Sequence, residues 1–306
     1  MVRYLYTTVS ETDTLIILNP VAGSVPDRDN LLKILRDRLA AAGRSFVVHE
    51  TREGEDLAAL VRTACEQGID LVIAAGGDGT IGDVVNGLIG TDVPLGIIPV
   101  GTGNLLARAA GVPLRPEEAM DLILGEHRKV GIDTMFAAGR HFVLNISTGI
   151  SSRSIHDTSV KEKRRFGLLA YVWRVVGHIL GFKSYRFDLV LDGYARTVDA
   201  TELLVSNGPI MTDLPNLLGP AETFSDGRID VYVINGRSAW DYLVIILRTI
   251  FRRPPRDELL IHFPVTRSLS ITAHRRSQPV QGDGEDFSTT PIEITVVPAA
   301  VRVIAP

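Results

Sequence analysis

The chain has one cysteine, few aromatic residues and little net charge for its 306 residues. A single thiol cannot form an intrachain disulfide, so nothing calls for an oxidising compartment. Cys65 falls in the helical stretch DLAALVRTACEQG and reads as a buried, inert thiol. A net charge of −4 and a pI near 6.0 give no overall case for a nucleic-acid partner. No apolar run reaches the ~18 residues of a membrane-spanning helix. The nearest, Phe166 to Phe182 and Trp240 to Leu247, are too short or are broken by Arg174, His178 and Asp241. The start lacks the basic, apolar, small-residue order of a signal peptide, so a cytoplasmic location is expected. The seven histidines do not cluster at ligand spacing, which sets aside a zinc site and His-based catalysis. Internal repeats and low-complexity segments are absent as well.

What is present falls into two textures. Up to about residue 130, apolar runs alternate with helical patterns: LIILN, NLLKILRDRLAAAG, SFVVHE, EDLAALVRTACEQG, DLVIAA, IGDVVNGLIG, PLGIIPV, GTGNLLARAAG and PEEAMDLILG. Continuous apolar strands separated by amphipathic helices predict an α/β domain with a parallel sheet covered on both faces. From 131 to 306 the runs are short, many alternate with period two, and turn signals separate them: FVLNIS, YRFDLVLDG, TELLVSN, RIDVYVIN, SLSITA and IEITVVP. These predict a mostly antiparallel β-sandwich domain, with Asp192-Gly193 as a two-residue hairpin turn. Helical insertions are expected at Arg164–Leu180 and Ala239–Arg253, and the last strand is free to return to the first domain.

Three of the four strands of the first domain end in unusual loops: Asn19-Pro20-Val21-Ala22-Gly23-Ser24, Gly76-Gly77-Asp78-Gly79-Thr80 and Gly101-Thr102-Gly103-Asn104. In an open parallel sheet such loops share the edge where ligands bind. Glycines there imply a close approach to the backbone or a turn that needs positive φ. They also let N–H groups and a following helix start point at an anion, so a phosphate-bearing nucleotide is the expected guest. A Walker A loop is absent. Gly77 to Gly82 satisfies G-x-G-x-x-G, but it is not on the first βα unit, and no carboxylate ends the next strand. An Asp among the glycines is placed better beside a Mg²⁺ shared with phosphates than against a pyrophosphate, which favours phosphoryl over hydride transfer.

LNPVAG, AAGGDGT followed by VVNGL, and IIPVGTGNLLARAAGVP together resemble the diacylglycerol-kinase catalytic domain and its bacterial lipid-kinase and sphingosine-kinase relatives. The resemblance continues through VSNG, Pro220-Ala221, SDGRIDVYVI and GDGE at Gly282–Glu285, over almost the whole chain. GGDGT alone is shared with NAD kinases; the series is far more specific. The resemblance implies ATP over Asn19, Pro20, Val21, Ala22, Gly23, Thr51, Gly76, Gly77, Asp78, Gly79, Thr80, Ile81, Gly82 and Thr102. Thr51 also fits independently, because HETREGED puts it at the end of the second strand. A second, structural Mg²⁺ is implied at Asp226 with main-chain oxygens of Thr223 and Arg228. Two departures stand out: Ala22 and Ser24 replace the family's usual serine and basic residue, and Gly82-Asp83 replaces Asn-Glu.

Transfer to a hydroxyl needs positioning, charge neutralisation and a destination for the proton. Mg²⁺ with Asp78 serves the second need, and Thr80 and Thr102 offer hydroxyls to phosphate oxygens. On its residues alone, Gln281-Gly-Asp-Gly-Glu-Asp286 is a solvated hairpin turn; the resemblance makes Glu285 the general base and Asp283 a helper to it or to the metal. Basic clusters occur at Lys161–Arg165, at Arg248, Arg252, Arg253 and Arg256, and at His274–Arg276, and arginines flank two apolar, aromatic-bearing segments, RRFGLLAYVWRVVGHILGF and AWDYLVIILRTIFRRPP. Such segments suit either a core helix or a peripheral contact with an anionic membrane surface. The expectation is therefore an ATP- and Mg²⁺-dependent lipid kinase at the cytoplasmic membrane face, with no nucleic-acid partner. A kinase of a soluble acceptor such as NAD, and a non-catalytic nucleotide- or lipid-binding module, are the rivals. Exposed strand edges in the β domain would permit a homodimer.

Overall fold

The computed structural model describes residues 13–23, 28–149, 183–208, 224–236, 238, 240, 241, 244 and 259–306. It forms two compact units, Met1–Asp133 with Pro298–Pro306, and Thr134–Val297. The helical insertion expected at Arg164–Leu180, nearly all of the one at Ala239–Arg253, and the basic residues Lys161–Arg165, Arg248, Arg252, Arg253 and Arg256 lie outside the described residues. So do Ser24 and Thr223. Among the described residues no helix is long and apolar enough to cross a membrane.

The first unit is built on strands whose residues have almost no solvent-facing alternative. β1 (Thr14–Leu18), β3 (Leu71–Gly76) and β4 (Leu95–Pro99) are buried along their whole length. β2 (Phe46–Glu50) is the half-exposed edge. The order β2-β1-β3-β4 is parallel throughout, with Leu15 lying between Val47 and Val72. Chain progression reverses between β1 and β3, and that reversal opens a crevice beyond their carboxyl ends.

The helices follow their apolar stripes. α1 (Arg28–Ala41) buries Leu31, Leu32, Leu35 and Leu39, spaced to form one face. α2 (Leu57–Glu66) starts where the Asp56 carboxylate accepts the Ala59 N–H at 2.9 Å. α3 (Asp78–Leu88) and the short α4 (Leu105–Ala109) follow β3 and β4. α5 (Pro116–Leu124) has proline at its first position and Glu117 and Glu118 in its first turn, where a helix start favours them.

β5 (Arg128–Ala137) and β6 (Arg140–Phe142) were not legible in the sequence. Their charged, half-exposed ends hide the apolar pattern, and the pair is joined by Ala138-Gly139, both at positive φ. The second unit continues with β7 (Asn145–Gly149), β8 (Tyr185–Leu191), β9 (Tyr194–Ala200), β10 (Glu202–Ser206), β11 (Ile229–Ile234), β12 (Leu260–Val265), β13 (Ser268–Ala273), β14 (Pro279–Gly282), β15 (Glu285–Thr289) and β16 (Ile292–Ala305). One antiparallel sheet runs β12-β11-β10-β7-β14-β15, and β16, β13, β8 and β9 pair in that order. Alternate residues of both layers meet in one core that includes Ile146, Phe187, Leu203, Val231, Leu269 and Ile294. The β-sandwich expected from period-two strands is thus present.

Two Asp-Gly hairpins in this unit use one device. Asp192 (φ 50°) and Gly193 (φ 93°) turn β8 into β9, and Asp283 (φ 49°) and Gly284 (φ 88°) turn β14 into β15. In each, the aspartate side chain also collects backbone N–H groups from a neighbouring corner. Asp192 accepts from Thr266, Arg267 and Ser268 at 2.7–3.0 Å, and from the Thr266 hydroxyl at 3.0 Å.

Burial pushes the Asp192 carboxyl up, but those donors outweigh it and hold it down at about 2. A carboxyl held below its unfolded value of about 3.9 adds stability above that pH and loses it as pH falls through the folded value. Asp192→Asn is therefore expected to flatten the stability profile between pH 4 and 2. Urea midpoints of the two proteins across that window test this; parallel profiles would contradict it.

Asp283 also explains why FVLNIS, expected as one strand, is broken. Its carboxylate takes the N–H groups of Val143, Leu144 and Asn145 at 2.9–3.0 Å, so Val143 and Leu144 leave the ladder between β6 and β7. β16 is longer than expected. Its first residues pair with β13, and Val303 lies parallel to Leu95 of β4. Between them Ala299 sits at φ 48°, with its N–H donated to buried Asp133 at 2.8 Å.

Candidate functional site

The three glycine loops of the first unit are tied together by side chains. After β1, the Asn19 amide donates to the Thr80 hydroxyl at 2.9 Å, and its oxygen accepts the Val21 N–H at 3.1 Å. After β3 there is scarcely a loop. The strand ends at Gly76, Gly77 is the only joint, and Asp78 already begins α3. The glycine run read as a loop is therefore strand end, joint and first helical turn.

None of Gly76, Gly77, Gly79, Gly101 and Gly103 has positive φ. Close approach explains four of them, and the approaching groups belong to the loops themselves. A Cβ on Gly76 would lie 2.6 Å from Thr80 Cβ, one on Gly101 2.4 Å from Gly77 Cα, and one on Gly103 2.8 Å from Asp78 Oδ2. Gly77 in turn faces Gly101 Cα at 3.3 Å. Gly79 differs, since its Cβ position opens on free space. It is exposed in the first turn of α3, which no side chain caps. That helix start carries positive partial charge, the chemistry that favours a phosphate.

Asp78 spans two loops. Its Oδ1 accepts the N–H of Leu105 at 2.7 Å and of Leu106 at 3.5 Å, at the start of α4. Burial pushes its carboxyl up, while the N–H groups of Leu105, Leu106 and Asn104 and its own act the other way. The expected phosphate-loop residues Asn19, Pro20, Ala22, Gly77 and Asp78 are half-buried on this edge, and Val21, Gly23, Gly79 and Thr102 are exposed. Thr102 Oγ1 would lie 3.0 Å from a Cβ on Gly23, so the first and third loops also meet. Thr51 follows β2 directly, and its N–H reaches Leu18 O at 2.9 Å. Thr80, Ile81 and Gly82 are all buried inside α3, and Ile81 lies within the core.

In the second unit Asp283 spends both carboxylate oxygens on backbone N–H groups. Burial pushes it up against those bonds and against Arg140. Gly282 lies on Phe142, where a Cβ would come within 2.3 Å of ring carbons, and Phe142 packs on Phe287 at 4.2 Å between centroids. Glu285, the first residue of β15, is thereby presented outward on an anchored turn, with Arg140 Nη1 3.5 Å from its Oε2.

The Asp226 carboxylate is held by Arg228, through its N–H at 3.1 Å and its Nε at 3.1 Å. The Arg228 guanidinium thus stands beside the only carboxylate of that expected metal set, and Thr223 of the same set lies outside the described residues. Among the described residues no three His, Cys, Asp or Glu side chains group together for a metal.

Residues 13–135 match the model of the diacylglycerol kinase catalytic domain, and residues 145–305 match that of the YegS C-terminal NAD kinase beta sandwich-like domain. The chain belongs to the family that these two models describe together, a diacylglycerol kinase catalytic domain followed by a YegS C-terminal domain, the second alone matching just over half of its length. Proteins similar to this family member include the diacylglycerol kinase of Mycobacterium tuberculosis, 29% identical over 88% of this chain and 87% of that protein. The diacylglycerol kinase of Bacillus subtilis is 26% identical over 95% of each. The crystal structure of a diacylglycerol kinase from Bacillus anthracis str. Sterne superposes with a TM-score of 0.79 at 26% identity, covering 97% of both chains. Kinase family and fold follow from these matches, as the glycine motifs implied. Asn104 and Arg140 emerge as partners of site-loop residues only from the fold. The signal for the first was present in GTGN, while an arginine after a tight turn carries none.

Proposed function

We propose that this family member is an ATP- and Mg²⁺-dependent lipid kinase, moving the γ-phosphoryl group of ATP to a lipid hydroxyl. The observation that carries it is the uncapped start of α3, open at Gly79 and knitted by Asn19, Thr80 and Asp78 into one rigid edge. That edge suits a polyphosphate, and phosphoryl transfer is chiefly positioning and charge stabilisation. Helix α3 and the glycine backbones bind phosphate oxygens, and the Thr102 hydroxyl reaches them from the third loop.

Mg²⁺ would neutralise charge shared by the β- and γ-phosphates. Asp78, a half-buried carboxylate beside the open Gly79 position, is the residue that would hold it. In the transfer an acceptor oxygen bonds to phosphorus, the bond to the ADP oxygen breaks, and Glu285 receives the hydroxyl proton. Glu285 suits that part because it is exposed and is not needed to hold its own turn.

A lipid acceptor is supported by the names of the relatives and by the basic, aromatic-bearing segments of the sequence, which suit peripheral contact with an anionic surface. The test is transfer of labelled γ-phosphate with Mg²⁺ to diacylglycerol, monoacylglycerol, sphingosine, ceramide, phosphatidylglycerol and NAD. Label in a lipid is the expected result and names the acceptor. Label in NAD alone would replace this reading with a soluble-acceptor kinase, in line with the NAD kinase-like description of the second unit's model. No label with nucleotide binding intact would indicate a regulatory module.

A further inference from the structure

We infer that Asn104 is a positioning residue for the nucleotide, fixing the distance between the loop after β4 and the start of α3. The inference rests on the kinase reading above and names the residue that shapes the same edge.

Asn104 is buried, and its backbone sits at φ 50°, ψ 42°, in the left-handed region. Glycine reaches that region freely and asparagine better than most other residues. Its side chain then grips Gly101 from both sides. Oδ1 accepts the Gly101 N–H at 2.9 Å, and Nδ2 donates to the Gly101 carbonyl at 2.9 Å. Only an amide meets both demands, because a carboxylate accepts without donating and glycine supplies the φ with no side chain.

Gly101 is the point at which position matters. Its missing Cβ is what allows Gly77 to lie against it, with 2.4 Å separating that Cβ position from Gly77 Cα. Gly77 is the joint before α3, so moving Gly101 moves the helix start that faces the nucleotide. The next residue in the chain completes the link. Leu105 N–H, adjoining Asn104, binds Asp78 in that same first turn at 2.7 Å. Asn104 thus controls one side of a closed loop of contacts: Asn104, Gly101, Gly77, Asp78, Leu105.

The experiment compares the unaltered protein with Asn104→Gly and Asn104→Asp. Each is read by KM for MgATP, KM for the acceptor, nucleotide Kd without turnover, and hydrogen exchange of the Gly101 amide. Asn104→Gly keeps the backbone conformation and removes both amide bonds. It is expected to raise KM for ATP and nucleotide Kd about tenfold and to speed Gly101 exchange, with acceptor KM unchanged. Asn104→Asp keeps the acceptor oxygen and is expected to fall between the two.

A purely structural role would lower the melting temperature and leave the ATP constants alone. A folded Asn104→Gly protein whose ATP constants stay within about twofold of the unaltered protein overturns the inference. Should that variant not fold, Asn104→Asp is judged by the same constants. If the unaltered protein transfers phosphate to no acceptor, the kinase reading fails, yet nucleotide Kd and Gly101 exchange still decide the role of Asn104.

Discussion

Glu285→Gln is expected to lower kcat by about 10²–10⁴-fold while nucleotide affinity stays unchanged, the size of loss that follows removal of a general base. The substitution is nearly isosteric and deletes the carboxylate that would take the proton. It should leave the fold alone, because the turn preceding Glu285 is held by others. Asp283 anchors it to Val143, Leu144 and Asn145, and Gly282 seats it on Phe142. The contact given up, Arg140 Nη1 at 3.5 Å from an exposed carboxylate, is the kind that contributes little to stability. Phosphate-transfer rates beside nucleotide titrations make the comparison. Turnover within a few-fold of the unaltered enzyme would take the proton-accepting role away from Glu285.

Two residues earlier in the same turn the expectation reverses, and stability is lost first. Asp283→Ala leaves the N–H groups of Val143, Leu144 and Asn145 without their acceptor, and it also puts alanine at φ 49°. Stranded donors and an ill-suited backbone conformation together are expected to destabilise by about 3–5 kcal/mol. Urea unfolding followed by far-UV circular dichroism measures this. Asp283→Asn, with one oxygen left to accept, should fall between. If Asp283→Ala unfolds at the same urea concentration as the unaltered protein, the turn is held by something other than this carboxylate. The pair of variants separates two roles that adjoining acids in GDGE would otherwise share: one builds the turn, and the other works from it.

Much of this arrangement is legible in the residues. Runs such as LVIAA can only be buried strands, and the parallel order places the three glycine loops on one edge without further information. Asp192-Gly193 announces its hairpin. What the sequence does not reveal are interactions between residues far apart in the chain. The break in FVLNIS depends on Asp283, nearly 140 positions later. The glycines of GGDGT imply something close by, but only the fold shows that Gly101 is the neighbour of Gly77. Ile81 and Gly82 belong to the motif and yet are buried, because a helix begun at Asp78 turns them inward. Arg140 beside Glu285 has no local pattern at all, since its place comes from the β5–β6 turn.

The clasp of Asp133 on Ala299 bears on how the polypeptide acquires its shape as it is made. The chain leaves the first unit at Asp133 and re-enters it at Pro298, and the N–H of the next residue, Ala299, donates to the Asp133 carboxylate at 2.8 Å. A growing chain would therefore expose β1 to β4 long before Val303, the residue that pairs with Leu95, has been added. Until then β4 has an unpaired border. Closing it across an unstructured stretch of about 160 residues carries an entropic cost that rises with the logarithm of length. Folding of the intervening β unit shortens that stretch to almost nothing. The β-sandwich would then act as an internal template for the order of assembly, finishing the α/β unit in which it is inserted.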